Sequence, residues 1–378
     1  MPALIYDEAE GAGRSDFRRL FLAHERKKER KMAEKRKYRV IQWATGNVGS
    51  RALRTVIEHP DMELVGLRVS SDEKVGKDAG ELAGLAVETG IKATASTADL
   101  IALDADCVLY MRQGTDWDEI CAILRSGKNI VTTRGDFHYP ATIEPSNRAR
   151  VEEACEEGGA SIYSTGSSPG FITEAFVIPL LSMARRHDLL TIDEYADVSS
   201  RNSPDMLFRI MGFGQPMAPF DQRRAEHLKG DFGSSLSQIG EAIGLPIDEI
   251  EAQGELSATR NTLHIAAGTV EAGTVGAMRT TITCKHKGRE VLRFRANWYV
   301  TSDIEDDWNL RDSGWRVTTE GDTPLLVDIH FPVPEEDYAA FTPGLTAHRP
   351  VNAIPVVCAA APGIRTTADL PQIIPTFA

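Results

Sequence analysis

From Tyr38 onward, short apolar runs alternate with stretches of helical character, and no other feature of the sequence constrains the fold as much. The runs are YRVIQWA (38–44), MELVGLRVS (62–70), ADCVLYM (105–111), KNIVTT (128–133) and ASIYSTG (160–166). Short apolar runs separated by helices are typical of a buried parallel sheet, because helices cover both of its faces. A helix is expected to begin at Ser96 or Thr97, before the third run. This part of the chain therefore predicts an α/β fold.

After Phe171 the runs become longer, and aromatic and β-branched residues alternate with polar ones. These runs are MRTTITCKHKG (278–288), REVLRFRANWYVTS (289–302), SGWRVTTEG (313–321) and TPLLVDIHFP (323–332). The first two are joined by Lys287-Gly288, so they predict antiparallel strands around a tight turn. The tail VNAIPVVCAAAPGIRTTADLP (351–371) returns to short apolar and helical segments. We therefore expect an α+β domain with an open, mostly antiparallel sheet, inserted into the parallel-sheet domain.

The length of 378 residues exceeds what one hydrophobic core usually serves, so more than one domain is expected. We predict a parallel-sheet domain over 38–172 plus 345–378 and a substrate-binding and dimerisation domain over 173–344. Residues 1–37 are predicted to be a charged N-terminal extension, of which 1–31 is dispensable for folding. Its segment HERKKERKMAEKRK (24–37) is typical of a solvated helix or frayed tail, and a basic docking arm is the alternative.

The overall charge and the cysteines indicate a class of protein. With 42 basic and 55 acidic residues the net charge is −13, which disfavours nucleic-acid and anionic-membrane surfaces. No uncharged run is long enough to span a bilayer, and the first residues lack the order of a secretory signal. The five cysteines form no CxxC pair, which favours a reducing compartment, so a cytoplasmic protein is expected. The histidines show no HxH or HExxH spacing, so no metal site is expected.

The most informative segment is the glycine turn directly after the first run, Ala44-Thr45-Gly46-Asn47-Val48-Gly49. A dinucleotide-binding Rossmann fold needs glycine where the backbone approaches the diphosphate, and again where the next helix packs on the strand. Gly46 and Gly49 occupy the second and third glycine positions of that fingerprint, and Ala44 occupies the first. Such a fragment also occurs in plain strand-to-helix turns, but its place between a strand and a helix favours nucleotide binding.

The end of the second run bears on which nicotinamide cofactor is bound. An acidic residue there would hold the ribose of NAD, whereas basic and hydroxyl groups favour the 2′-phosphate of NADP. Here the run ends in Arg68, Ser70 and Ser71, and Asp72 comes two positions late for the usual acid. The sequence therefore favours NADP with NAD possible, unless these are only exposed loop residues.

Four segments in order resemble the dihydrodipicolinate reductase-like family, and within it 2,4-diaminopentanoate dehydrogenase and the native amine dehydrogenases. They are VIQWATGNVG (40–49), EKVGKDAGEL (73–82), TGSSPGF (165–171) and PVNAIPVVCAAAPGI (350–364). The resemblance implies a Rossmann domain, an open-sheet domain used for homodimerisation, and NAD(P)-dependent chemistry at a carbon bonded to nitrogen. It also implies a small-molecule amine or ketone as substrate, whereas the net charge and the lack of a long apolar run already predict no nucleic-acid or membrane partner.

The resemblance assigns roles to residues by position. It puts Gly46, Asn47, Val48 and Gly49 on the diphosphate loop, and Ser70 and Ser71 at the adenosine ribose. It puts the turn of Thr165, Gly166, Pro169 and Gly170 over the nicotinamide, and Asn352 and Ile354 near the cofactor. Further cofactor contacts are expected from Thr45, Arg68, Met111, Arg112 and Thr133, although Arg112 could instead pair with Asp116.

One departure from the family concerns the loop after KNIVTT. The family pattern has a pair of glutamates before Tyr-Pro, one of which activates the nitrogen nucleophile. Here Gly135 stands in the place of the first glutamate, and the shorter Asp136 follows. Ordinary amine dehydrogenase activity therefore depends on whether Asp136 replaces that glutamate.

Asp136, His138 and Tyr139 are the candidates for acid–base catalysis, because parallel-sheet sites lie at the carboxyl ends of the strands. Each has a structural alternative: a turn cap for Asp136, a packing histidine for His138, and an extended residue before Pro140 for Tyr139. Substrate contacts are predicted from Phe171, Phe213, His264 and Trp298, with sheet packing as the alternative.

Three functions remain open on the sequence. The first is an NAD(P)-dependent oxidoreductase that interconverts an amine and an imine or ketone. The second is an NADPH-dependent carbonyl reductase with His138 or Tyr139 as proton donor. The third is a dinucleotide-binding sensor without catalysis, which the absent glutamate makes credible.

Overall fold

The computed structural model describes residues 36–377. The predicted charged extension lies outside the described residues, apart from Arg36 and Lys37. The predicted α/β fold with two different sheets is confirmed.

Six parallel strands form the first sheet. They are β1 (Tyr38–Trp43), β2 (Met62–Arg68), β3 (Cys107–Tyr110), β4 (Asn129–Thr132), β5 (Ser161–Ser164) and β14 (Gly363–Arg365). Their order is β14-β5-β4-β3-β1-β2, so the chain reverses direction across the sheet between β1 and β3. Ligands of open parallel sheets bind at the carboxyl ends of the strands beside such a reversal. The first five strands lie where the apolar runs predict them.

Helices cover both faces of this sheet. One face is covered by α1 (Asn47–Glu58) and α8 (Glu335–Cys358), which pack against each other. The other face is covered by α3 (Thr97–Ala102), α4 (Trp117–Arg125) and α5 (Pro145–Gly158), with the short α2 (Ala79–Leu82) beyond β2. Ser96 caps α3 by accepting a hydrogen bond from the amide of Asp99, as the sequence predicts for this start.

The second sheet also has six strands, in the order β13-β12-β6-β11-β10-β7. They are β6 (His187–Asp197), β7 (Glu249–Ala258), β10 (Val275–His286), β11 (Arg289–Tyr299), β12 (Gly314–Gly321) and β13 (Leu325–His330). All neighbouring pairs are antiparallel except β6 and β11, which are parallel. The predicted Lys287-Gly288 turn joins β10 to β11, and both residues have positive φ, 51° and 73°. A separate hairpin pairs β8 (Leu263–Ile265) with β9 (Gly268–Val270).

The second core lies between one face of this sheet and the long helix α7 (Gln222–Ala242). Phe232 of α7 stacks on Phe294 of β11, with ring centroids 3.9 Å apart. An irregular helical segment (Ser167–Ala175) and α6 (Val177–Leu181) lead from β5 into this core. The opposite face of the sheet is more polar and carries the ion pair of Arg295 with Asp193. The described helices include none that is both long and apolar enough to cross a membrane.

The chain returns to the first sheet after β13. Helix α8 buries Ala347, Val351 and Ile354 against the face that α1 also covers, and β14 then pairs with β5. Because both sheets meet at Ser167–Ala175 and α8, the carboxyl ends of β4 and β5 face the second sheet's helices. The turn after β5 and the loop after β4, which carry several of the functional candidates, lie at this junction.

Candidate active site

The glycine turn closes directly on the end of β1. Ala44 has a positive φ of 75°, and its carbonyl accepts a hydrogen bond of 2.9 Å from the Gln42 side chain. A Cβ on Gly49 would overlap this carbonyl oxygen, so only glycine lets α1 lie this close to the strand. Gly49 therefore has the packing role of the third glycine of the fingerprint.

Gly46 stands in a different environment. A Cβ at Gly46 would meet no atom within 4 Å, so protein packing does not explain a glycine there. Gly46 precedes α1, which has no side-chain cap and no acidic residue in its first turn. The amides of a helix start attract anions, and the open space above Gly46 lets a ligand reach them. The turn therefore fits the diphosphate of a dinucleotide.

Basic side chains flank the turn on the side of β2. Lys74 Nζ donates to the carbonyl and the hydroxyl oxygen of Thr45, at 3.0 and 3.1 Å. Arg68 Nη1 donates to Ser70 Oγ at 2.6 Å, and its guanidinium lies 5.6 Å from the centre of the Trp43 ring. Positive charge and a hydroxyl thus adjoin the turn where an adenosine ribose would lie. Lys74 lies 29 residues from Thr45 in the sequence, and the fold brings it onto the turn.

Arg112 belongs to a largely buried polar cluster around Glu119. Arg112 Nη1 lies 3.0 Å from both Asp116 Oδ2 and Glu119 Oε2, and Tyr110 donates to Glu119 Oε2 at 2.9 Å. These carboxylates raise the pKa of Arg112 although burial opposes them. The alternative of a pair with Asp116 thus holds in the structure, and the predicted cofactor contact of Arg112 stays a prediction.

Two side chains of α8 form hydrogen bonds with the turn that follows β5. Arg349 Nε donates to Thr165 Oγ1 at 2.9 Å, and Ser167 Oγ and Thr346 Oγ1 are 2.8 Å apart. Gly170 has a φ of 122°, and a Cβ there would lie 2.7 Å from Thr165 Oγ1. Glycine is therefore required at 170, and the turn has a defined shape. Other predicted cofactor residues lie nearby: Met111 and Thr133 follow β3 and β4 and contact each other, and Asn352 lies on α8.

A cavity of about 430 Å³ opens beside this turn, between Ser167–Ser168, the second sheet and α8. Its wall includes aromatic and apolar side chains, among them Trp298, Trp315, Phe331, Tyr338 and Leu345. Glu194 of β6 places a carboxylate on the same wall. Its Oε1 accepts from Trp298 Nε1 and its Oε2 from Trp315 Nε1, each at 3.3 Å. The volume is in the range of small-molecule sites.

The structure separates the three predicted acid–base residues. Asp136 Oδ2 accepts from Thr115 Oγ1 at 2.6 Å and from Arg134 Nη2 at 3.2 Å, at the edge of a second crevice. His138 is 3 % exposed, and its Nδ1 lies 3.5 Å from Glu174 Oε1 in the protein interior. Burial and a hydrogen bond to Glu241 raise the pKa of Tyr139 to about 12. The walls of the aromatic cavity include none of the three, and their catalytic roles stay predictions.

Two of the four predicted substrate residues adjoin the aromatic cavity. Trp298 lines it, and the Phe171 ring lies 6.3 Å from the ring of Trp315. Phe213 is fully buried in a separate cluster. His264 is exposed on the β8–β9 hairpin, with Nδ1 3.0 Å from Thr269 Oγ1. In the described range, no group of three or more His, Cys, Asp or Glu side chains is arranged to hold a metal ion.

Comparison with known proteins shows which proteins the chain is similar to. Residues 206–377 match the model of the 2,4-diaminopentanoate dehydrogenase C-terminal domain. The chain is 28 % identical to an amine dehydrogenase of Streptomyces virginiae, covering 88 % of this chain and 95 % of the relative. It is 24 % identical to a 2,4-diaminopentanoate dehydrogenase of Acetoanaerobium sticklandii, covering 55 % of this chain and 60 % of the relative. The family model and both relatives thus support the predicted resemblance to 2,4-diaminopentanoate dehydrogenase and the amine dehydrogenases.

A solved structure has a similar fold. The amine dehydrogenase from Mycobacterium smegmatis superposes with a TM-score of 0.71 at 21 % identity, covering 90 % of this chain and 97 % of that one. At that identity the likeness concerns the fold, and it extends through both sheets. The predicted resemblance is thereby confirmed.

The glycine that departs from the family pattern has a neighbour in space. A Cβ on Gly135 would overlap Asp231 Oδ1, so the carboxylate of α7 fills the room beside Gly135. Asp231 and Asp136 line the same crevice, together with Arg134. A side chain at position 135 would therefore require the Asp231 carboxylate to move. The chain carries carboxylates near that loop at two other positions, Asp136 and Asp231.

Sequence reasoning missed Glu194 and Glu174. Leu190, Ile192 and Glu194 lie on one face of β6, because side chains alternate along a strand, and that face is the buried one. A carboxylate that continues this alternation is predicted to point inward. The segment LTIDEYADVSS (190–200) shows this pattern in the sequence. Glu174 gave no such signal, because its partner His138 is distant in sequence.

Proposed function

We propose that the protein is an NAD(P)-dependent oxidoreductase that interconverts an amine and an imine or ketone. The observation that carries the proposal is the glycine turn, which is closed at Gly49 by the Ala44 carbonyl and open above Gly46. The names of its relatives, amine dehydrogenase and 2,4-diaminopentanoate dehydrogenase, support the reaction class. The aromatic cavity beside Ser167–Ser168 is the proposed substrate site.

Different residues of this chain would bind the cofactor and transfer the proton in such a reaction. When bound, the nicotinamide supplies the acceptor for the hydride that leaves the amine-bearing carbon. The turn at Gly46 and the start of α1 would hold the diphosphate, and the turn from Thr165 to Phe171, which borders the cavity, would hold the nicotinamide. A carboxylate must take a proton from the substrate ammonium, because only the neutral amine readily releases hydride. Asp136 stays the predicted base, and Glu194 is the carboxylate that lines the cavity.

For the cofactor, we favour NADP over NAD. Arg68, Ser70 and Lys74 lie around the turn where the ribose 2′-position would be placed, and positive charge there stabilises a phosphate. In calorimetric titrations, NADPH should bind about tenfold or more tightly than NADH. In the Arg68→Gln variant this difference should shrink while the affinity for NADH changes little. Equal affinities of the unaltered protein for NADPH and NADH would contradict the preference for NADP, and the proposed reaction class would be unaffected.

The reaction class is tested by turnover in both directions. Purified protein is incubated with NADP⁺ or NAD⁺ and a panel of primary amines, and with NADPH or NADH, ketones and ammonia. We expect dinucleotide reduction by amines and ketone-dependent oxidation that requires ammonia. Reduction of ketones that ignores ammonia would assign a carbonyl reductase instead. Tight dinucleotide binding without turnover of any substrate would indicate the sensor.

The domain limits, the homodimer and the cytoplasmic location belong to the same proposal. The return of β14 to the first sheet supports a parallel-sheet domain built from 38–172 and 345–378. Light scattering of the purified chain tests the dimer, and a single mass of about 41 kDa would exclude it.

A further inference from the structure

Glu194 is the carboxylate on the wall of the aromatic cavity, and its two oxygens are held separately. Trp298 donates to one and Trp315 to the other, both at 3.3 Å. Trp315 lies directly opposite Glu194 in the β6–β12 pairing, so the sheet itself sets this contact. The orientation of the carboxylate is therefore built into the fold.

Glu194 forms no ion pair with another side chain in the described part of the protein. Within residues 36–377, no nitrogen of lysine, arginine or histidine forms an ion pair with Glu194 at the 4.0 Å limit. Two neutral indole donors satisfy only part of the capacity of a carboxylate, which accepts about four hydrogen bonds. A half-buried anion without a cation is costly, so a positively charged ligand would be stabilised there.

The surroundings of the carboxylate suit an organic cation. Aromatic rings attract ammonium groups through their faces, and Trp298, Trp315, Phe331 and Tyr338 all border the cavity. The rings of Trp315 and Phe331 meet edge to face with centroids 4.8 Å apart, so the two rings pack against each other in this wall. Met206, Ile210 and Leu345 add apolar surface for a hydrocarbon part of the ligand.

We propose that Glu194, Trp298 and Trp315 bind the protonated amino group of a primary alkylammonium or arylalkylammonium substrate. The proposal rests on the proposed function, because it makes the cavity the place where the amine is held. It deepens that function by naming the charged group that is recognised and the residue that selects for it. A neutral alcohol or a carboxylate of the same shape lacks the charge that this site requires.

Arg201 lines the same cavity and carries the opposite charge. It forms no part of the proposed ammonium site, and its positive charge disfavours a cationic ligand. The two residues therefore have opposite expected effects on the same ligand. Removing Glu194 should weaken binding of an alkylammonium, and removing Arg201 should leave it unchanged or strengthen it.

The test measures binding without turnover. Intrinsic tryptophan fluorescence reports on the cavity because Trp298 and Trp315 form its wall. The full-length protein is titrated with cyclohexylammonium chloride and, in parallel, with cyclohexanol as the neutral isostere. The same titrations are made with the Glu194→Gln and Arg201→Gln variants. The Glu320→Gln variant is the matched control, because Glu320 is an exposed carboxylate on β12, in the same sheet.

We expect the unaltered protein and Glu320→Gln to bind cyclohexylammonium at least about tenfold more tightly than cyclohexanol. In Glu194→Gln this preference should be lost, while circular dichroism shows an unchanged fold. If that variant does not fold, Trp298→Phe replaces it, because it keeps an aromatic ring and removes one indole donor. That variant should weaken ammonium binding and leave cyclohexanol binding unchanged.

Equal binding of cyclohexylammonium to Glu194→Gln and the unaltered protein would overturn the proposal, as would equal binding of the two ligands. These outcomes are distinct from a failure of the proposed function. If amines are turned over but Glu194→Gln keeps its KM for them, the ammonium site is wrong and the reaction class stands. If no amine is turned over but charge-selective binding depends on Glu194, the site stands and the reaction class is wrong.

Discussion

At the scale of single residues, two positions of the glycine turn differ: the backbone is strained at Ala44, whereas Gly46 faces open space. Ala44 adopts a φ of 75° that an L-residue with a Cβ rarely takes, where the nucleotide fingerprint has glycine. Its carbonyl lies so close to Gly49 that no side chain fits between them. The turn is therefore held by packing around it even though Ala44 opposes its conformation.

This strain leads to a prediction for the Ala44→Gly variant. Glycine adopts positive φ without the steric cost of a Cβ, so the free energy of unfolding should rise by up to about 1 kcal/mol. Urea denaturation followed by circular dichroism measures the change. Ala52→Gly in the interior of α1 is the control and should lower stability by about 1 kcal/mol. Destabilisation by Ala44→Gly would mean that the positive φ is not strained.

The glycine turn could be predicted from sequence because its residues are adjacent and each has a local role. Glu194 could have been predicted from its alternation with Leu190 and Ile192, which marks an inward position. The two indoles that hold it could not, because they come from β11 and β12 and meet Glu194 only through sheet pairing. The contact that a side chain at position 135 would make with Asp231 likewise could not be predicted, because Asp231 is remote in sequence.

At the scale of elements, the loop between β2 and α3 is organised by Asp78. Its Oδ1 accepts from the amides of Gly80 and Thr89, at 2.8 and 3.0 Å, and its Oδ2 accepts from the amide of Gly90 at 3.0 Å. These hydrogen bonds, of which that from Thr89 is the strongest, lower the pKa of Asp78 to about 2. The ionised carboxylate therefore ties the start of α2 to the end of the loop.

Asp78 should make stability depend on pH in a defined window. Because its pKa is lower in the folded state than the usual 3.8, its contribution is complete above about pH 4 and is lost as the pH falls towards 2. Asp78→Asn should lower the free energy of unfolding by about 2 kcal/mol at pH 7. The difference from the unaltered protein should narrow between pH 4 and 2.

Urea titrations at several pH values measure this effect. The control is Glu88→Gln in the same loop, whose side chain is 79 % exposed and whose loss should cost less than about 0.5 kcal/mol. A difference between Asp78→Asn and the unaltered protein that stays constant down to pH 2 would contradict the assignment.

The buried pair of His138 and Glu174 joins the loop after β4 to the segment that follows β5. Burial alone would raise the pKa of Glu174, but its interactions with the His138 imidazole and the Thr173 hydroxyl lower it below the usual value. Thr173 Oγ1 in turn accepts from the amide of Gly170, at 2.8 Å. The pair therefore supports the turn that borders the aromatic cavity.

Glu174→Ala should lower the free energy of unfolding by about 3 kcal/mol, because it removes one partner of a buried pair and leaves a void. Glu174→Gln keeps the volume and an acceptor for Thr173, so its cost should be smaller. Thermal and urea unfolding measure both. Equal stability of Glu174→Ala and the unaltered protein would show that the pair does not support the turn.

Helix α8 is longer than the sequence indicated. The helical tail was predicted from residue 351, whereas α8 begins at Glu335 and contains Pro343, Pro350 and Pro355. Proline normally ends a helix because it lacks an amide hydrogen and clashes with the preceding turn. Here Ala347, Val351 and Ile354 recur on one face and are fully buried against α1 and the first sheet. Tertiary packing thus outweighs local propensity along this helix.

At the scale of the whole molecule, the two sheets meet beside the proposed cofactor and substrate sites. The parallel sheet brings the glycine turn and the Thr165–Gly170 turn to one edge, and the second sheet contributes the aromatic cavity beside it. The α/β class, the inserted antiparallel character and the glycine turn all followed from local patterns in the sequence. The parallel pairing of β6 with β11 did not, because it joins strands about a hundred residues apart.

The account as a whole depends on whether the turn from Ala44 to Gly49 binds a dinucleotide. Gly46→Val separates folding from binding, because a side chain at Gly46 meets no protein atom but fills the space assigned to the diphosphate. NADPH is titrated by calorimetry into the unaltered protein and into this variant, and their unfolding is compared. We predict binding by the unaltered protein, a loss of at least about a hundredfold in affinity in Gly46→Val, and unchanged stability. No heat from either NADPH or NADH with the unaltered protein, or undiminished binding by Gly46→Val, would contradict the account.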